Sequence, residues 1–140
     1  MDAYRQQIIP MLSYEDGPAA MDWLCTVFGF REKTRWLDDL GRLTHGELII
    51  GNSMVMLASP TPDYRNPKNL RLICEAASKW YQTPYIINGV MVCVEDVEKH
   101  YQHSVEKGAT ILTGLESGAP GLRYRAEDLE GQRWMFIQES

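Results

Sequence analysis

The chain opens on alternation. In IIPMLSYED, residues 8–16, a short and mostly apolar run ends in Glu-Asp and reads as a strand whose alternate residues, Ile9, Met11 and Ser13 against Leu12 and Tyr14, take opposite faces. A helical period then takes over, with Ala20, Trp23, Leu24, Val27 and Phe28 on one stripe. Asp16 stands where a cap would accept the first free N–H groups, Pro18 fits a first turn, and Gly29 suits the left-handed residue that ends a helix. Three strand-like stretches follow, over residues 31–37, 43–50 and 54–58, the last two joined by the turn GNS.

The same order is written a second time. NGVMVCVED alternates and ends in Glu-Asp, as the first segment does. It runs into a helix with Val97, Tyr101, Ser104 and Val105 on its stripe, and Gly108 closes that helix. Strands are expected at residues 109–112, 122–126 and 134–138, the last two joined by a turn at EGQ. Asp16 and Asp96 stand 80 positions apart, Gly29 and Gly108 79, and Gly51 and Gly131 80, so three landmarks keep one register. Each half reads as a βαβββ unit, and the chain as one α+β domain over residues 1–140. The first module spans 6–58 and the second 86–139. Between them, residues 59–85 form a linker with a Pro-rich front. Asn66-Pro67 then starts a single helix that sets Leu70, Ile73, Ala77 and Trp80 on one face before Pro84.

Composition narrows the function. Apolar residues at 44% and charged residues at 24% are ordinary for a globular chain. A net charge of −5 argues against a nucleic-acid partner and leaves cationic small molecules compatible. Cys25, Cys74 and Cys93 lie far apart with no CxxC or zinc spacing, as expected of free thiols in a reducing compartment. No secretory leader is evident, and no apolar run approaches the roughly 20 residues that cross a bilayer. The expectation is a cytoplasmic protein with no membrane partner.

Two βαβββ units closed by YRAEDLEGQRWMF, with HGELIIGNSMVML in the first half, resemble the vicinal oxygen chelate superfamily. That group includes glyoxalase I, bleomycin-resistance proteins, fosfomycin-resistance transferases and extradiol dioxygenases. The resemblance covers nearly the whole chain outside residues 59–85. It implies an open, cup-shaped mixed sheet, one half of the cup from each unit, and in many members a homodimer. It also implies that metal-using members place His, Gln or Glu at four inward strand positions. Carried onto this sequence, those fall on or beside Ile9, Met56, Gly89 and Met135. None of these is an imidazole or carboxylate donor, and their immediate neighbours supply no strong ligand. No metal and no other cofactor is therefore expected; the weaker alternative is a metal-dependent glyoxalase or extradiol dioxygenase with its ligands displaced to other positions.

Strand parity turns the implied cup into a set of residues. Ile9, Met11 and Ser13 share a face with Met54 and Met56, and Gly89, Met91 and Cys93 share one with Met135 and Ile137. Leu12, Tyr14, Val90, Val92 and Val94 take the other faces, under the helices. Five of seven methionines thus fall on the inward side. Methionine is flexible and polarizable, so these residues suit a pocket for a small apolar or aromatic molecule, such as a sequestered drug or toxin. The competing expectation is a filled cup with these methionines as core.

Polar candidates stand beside this set. His45 and Glu47, two apart on a strand, could form an acid/base pair in a metal-free lyase or isomerase; the plainer expectation is an exposed or edge-strand pair. His100 and His103 have a spacing that can bind metal, with a solvated helix face the commoner reason for it. Arg123 and Arg125 share one side of their strand, where either could meet an anion at the mouth of the cup. Cys93 is a conceivable thiol with no neighbour in sequence to lower its pKa.

Overall fold

The computed structural model describes residues 6–86 and 88–139. The first module runs β1 (Met11–Ser13), α1 (Gly17–Phe28), β2 (Arg31–Leu37), β3 (Leu43–Ile50) and β4 (Ser53–Ala58). The linker holds α2 (Pro67–Ile73) and α3 (Glu75–Trp80). The second module runs β5 (Gly89–Cys93), α4 (Val97–Glu106), β6 (Thr110–Glu116), β7 (Gly121–Glu127) and β8 (Arg133–Glu139). Local chemistry sets these limits. Asp16 accepts from the Ala19 N–H and Asp96 from the Lys99 N–H, each at 3.1 Å. Gly29, at φ +78°, ends α1 and donates its N–H to Cys25 O.

The strands make two four-stranded mixed sheets, ordered β1-β4-β3-β2 and β5-β8-β7-β6, that do not close on each other. In each, the module's first and last strands, β1 with β4 and β5 with β8, pair in parallel, and the remaining pairs are antiparallel. This is the α+β arrangement of two βαβββ modules that the doubled pattern predicts.

Both modules share one core. Leu43, Leu48, Val55 and Leu57 of the first sheet pack with Ala20, Met21 and Leu24 of α1, while Val92, Tyr124, Trp134 and Phe136 of the second join the same cluster. Phe28, at the end of α1, bridges them: its ring centroid lies 4.7 Å from Phe136 and 5.8 Å from Trp134. The sheets therefore bury their helix-facing sides together, and their other sides point away from the core.

Three expectations are corrected. The linker helix breaks at Cys74, whose extended backbone (φ −134°, ψ 109°) splits it in two. Its supposed single buried face is lost with it: Ala77 is buried, while Leu70, Ile73 and Trp80 are exposed. The strand expected at residues 109–112 extends to Glu116, because its pairing with β7 continues through two irregularities to Glu116 opposite Arg123. His100 and His103 do not share one solvated face: His100 is half-buried and His103 exposed. His100 Nε2 lies 2.9 Å from Phe28 O and His103 Nε2 2.9 Å from Thr26 O, so the pair caps the free carbonyls at the end of α1.

The linker is held by buried charge. Glu127 receives Arg71 Nη1 and Nη2 at 3.0 and 3.1 Å, and Arg133 Nε and Nη2 at 3.2 and 3.0 Å. Arg133 also donates to Tyr81 O and Thr83 O, and both guanidiniums lie over the Tyr81 ring. Gly131, at φ +92°, brings the β7–β8 turn against Pro67 and Lys68, where a side chain would collide with α2.

Candidate ligand-binding faces

Cross-strand register assigns every residue to a side. In the first sheet Leu12, Leu57 and Gly46 form one row toward the core, and the adjacent row is Met11, Met56, Glu47 and Thr34 on the outer side. In the second, Val92, Phe136 and Tyr124 face the core, and Met91, Met135, Arg125 and Thr113 make the outer row. Met11 and Met56 are thus register partners, as are Met91 and Met135. Met54 lies opposite Ile49 on the outer side of the first sheet. These side chains are open: Met11 is 73% exposed and Met91 57%. Met54, Met56 and Met135 are half-buried.

Among the described residues, clefts border these rows at three places. One of about 380 Å³ takes in Ile9, Met54, Ile49 and Lys33. Another, about 210 Å³, lies between the modules and is bordered by Met11, Leu12, Gly89, Val90 and Arg133. The third, about 190 Å³, runs along the outer row of the second sheet with Met91, Met135 and Arg125, and is walled by Pro84, Tyr85 and Ile86 of the linker. None of the three joins the methionines of both sheets. Ser13 is exposed at the end of β1, its carbonyl accepting from Gln132 Nε2 at 3.0 Å. Ile137 is buried outside the shared core, opposite Cys93. The Cys93 thiol donates to Glu139 Oε1 at 3.3 Å, and this carboxylate pushes its pKa up, the wrong direction for a nucleophile.

His45 and Glu47 converge. Their Nε2 and Oε2 atoms are 3.2 Å apart, both side chains are half-buried, and β3 lies between β2 and β4 rather than at an edge. The Thr34 hydroxyl and then His45 hold the Glu47 carboxyl below its usual range. The Trp36 ring lies 5.1 Å from the imidazole. The pair belongs to the same outer side as Met56, which stands opposite Glu47.

The residue types at the four implied ligand positions do not suit a divalent cation. Ile9 is hydrocarbon, Gly89 has no side chain, and Met56 and Met135 offer thioethers to neighbouring thioethers. Among the described residues no three or more His, Cys, Asp or Glu side chains converge on a common point.

The family model of the Glyoxalase/Bleomycin resistance protein/Dioxygenase superfamily matches residues 9–136. The chain belongs to this superfamily. It is similar to TioX from Micromonospora sp. ML1, at 29% identity over 96% of this chain and 97% of that one, with a TM-score of 0.69. An uncharacterized protein of Mycobacterium tuberculosis (strain ATCC 25618 / H37Rv) is 28% identical over 134 residues, 92% of this chain and 72% of that protein. TnmS3, an antibiotic binding protein from Streptomyces sp. CB03234, shares the fold at 15% identity and a TM-score of 0.64, over 99% of this chain and all of the other.

Sequence reasoning missed three parts of these surfaces. Tyr85 and Ile86 wall the second sheet's cleft although they read as linker, and Arg133 underlies it although nothing local marks it as buried. Trp36 beside His45 could have been found from parity, since it stands opposite His45 across the β2–β3 hairpin.

Proposed function

We propose that this member of the superfamily binds a small, largely apolar organic molecule on its methionine-bearing sheet faces, without a metal, and that it serves to sequester a drug or toxin in the cytoplasm. The observation that carries this reading is the outward register of Met11, Met54, Met56, Met91 and Met135 on two open faces. Thioethers there are free to adapt to a flat or irregular ligand and to meet aromatic rings at their edges. The fold of TnmS3, an antibiotic binding protein, is the same. Faces this apolar and this exposed also suit closure by a second copy of the chain in a homodimer.

The test is a titration with a fluorescent apolar dye and an aromatic ligand library, reading fluorescence and melting temperature. Binding is expected, and Met56→Glu or Met135→Glu should weaken it at least about tenfold by placing a charge in the contact. If neither dye nor library changes either signal, the reading fails. Elemental analysis of the purified protein is expected to find no stoichiometric transition metal; one metal per chain would refute the metal-free part.

A second reading rests on the half-buried His45–Glu47 pair beside Met56: a metal-free lyase or isomerase in which Glu47 orients the imidazole and His45 moves a proton. Turnover of an activated carbonyl substrate that drops at least about a hundredfold in His45→Ala would establish it. Turnover insensitive to that change would remove it.

A further inference from the structure

The acidic chain as a whole suits a cationic ligand, but the cleft on the second sheet carries the opposite local charge. Among the described residues that line it, the charged side chains are Arg125 and Arg133, and none is a carboxylate. Arg133 is committed elsewhere, its donors taken by Glu127, Tyr81 O and Thr83 O. Arg125 is loosely held. Its Nη1 lies 3.4 Å from Glu116 Oε1, and that same oxygen also faces Arg123 Nε at 3.6 Å. One half-exposed carboxylate thus serves two guanidiniums, leaving an excess of positive charge at the cleft mouth.

The apolar part of the cleft is arranged around that charge. Arg125, Met135 and Met91 occupy one row across three strands, so a guanidinium and two thioethers follow each other at cross-strand spacing. Facing them is the Tyr85 ring, 71% exposed, with Arg125 Cζ 6.0 Å from its centroid. The wall carrying Tyr85 is fixed just upstream by Arg133, whose guanidinium grips the Tyr81 and Thr83 carbonyls. About 190 Å³ is the room available. An apolar cavity of about 150 Å³ accepts a single benzene-sized molecule.

We propose that this cleft is a subsite for an aromatic carboxylate, its one or two rings lying between Tyr85 and the thioethers of Met91 and Met135 and its carboxylate paired with Arg125. The assignment rests on the methionine-face reading and adds the ligand's charge and the residue that selects it. A planar fork of N–H donors matches a carboxylate, and Arg125 can shift from Glu116 to the ligand while Arg123 keeps that carboxylate compensated.

Calorimetric titration with three probes of nearly equal size tests this: 2-naphthoate, its neutral isostere 2-naphthamide, and the cation 2-(aminomethyl)naphthalene. The carboxylate is expected to bind at least about tenfold tighter than the amide, and the amine more weakly than both. Arg125→Gln should bring the acid-to-amide ratio to within about twofold, and Arg125→Lys, which keeps the charge but not the fork, should retain part of it. Tyr85→Ala should weaken acid and amide together. Equal binding of acid and amide by the unaltered protein, tighter binding of the amine, or an unchanged ratio in both Arg125 variants would overturn the proposal while leaving the methionine face standing as a binding surface. Failure of all three probes to bind would overturn this assignment, and the methionine-face reading would fall with it only if the dye and library titration is silent as well.

Discussion

Asp128 shows how one side chain ties the modules together. Its carboxylate is buried and accepts from Tyr14 Oη at 2.6 Å, Trp134 Nε1 at 3.1 Å, and the backbone N–H groups of Glu130 and Gln132 at 3.0 Å each. Burial pushes its pKa up to about 6, against the pull of those four donors. The unfolded chain gives up this proton near pH 4, so between about 4 and 6 the folded state binds more protons, and this contribution to stability falls as pH rises. His100 works in the opposite sense. Burial lowers its pKa below the usual 6.5, so its contribution is whole above that value and is lost as pH falls beneath it. Denaturant titrations should therefore show the unaltered protein's advantage over Asp128→Asn shrinking by up to roughly 3 kcal/mol as pH rises from 4 to 6.5. Its advantage over His100→Gln should shrink as pH falls from 7 to 5. Neither residue announces this in the sequence. Asp128 lies beside the predicted turn and His100 flanks a helix stripe, and their partners are distant in sequence: Tyr14 for Asp128, and Phe28, Tyr124 and Phe136 for His100.

At the scale of elements, local chemistry was legible and docking was not. Caps at Asp16, Asp96 and Asn66, the glycine after α1 and the alternation of each strand all act within a few residues, and the elements begin and end close to where those signals place them. The break at Cys74 follows from how the linker docks. Arg71 must reach Glu127 while Arg133 reaches the Tyr81 and Thr83 carbonyls, and a straight helix over residues 67–80 is not what forms. Glu127 is the centre of that arrangement, with two guanidiniums on one carboxylate. Replacing it by Gln leaves both cations undercompensated and should cost about 3 kcal/mol in denaturant unfolding. Limited proteolysis should then cut within residues 66–86 faster than in the unaltered protein. An unchanged cleavage rate would mean that the linker is held by something other than this charge cluster.

At the scale of the molecule, the two modules stand or fall together. Phe28 reaches from α1 into the second sheet, and Leu48, Met21, Phe28 and Phe136 are members of one cluster. Heat should unfold the protein in a single transition, and Phe28→Ala, by leaving a cavity where the modules meet, should lower stability by about 4 kcal/mol. The doubled βαβββ pattern and the sidedness of each strand could be read from periodicity alone. That both sheets turn their helix sides into a common core could not, because it depends on contacts between residues more than a hundred positions apart, such as Tyr14 with Asp128. The same long-range arrangement sends the methionine rows outward, and the account depends on their being ligand-facing. Methyl NMR of protein labelled at the methionine ε-carbon, titrated with an aromatic carboxylate, tests that directly. The account predicts ring-current shifts at Met91 and Met135 first, then at the other outward methionines as the ligand series is widened, with the buried Met21 unmoved. Saturating ligand that leaves every outward methyl in place, or that moves only Met21, would contradict it.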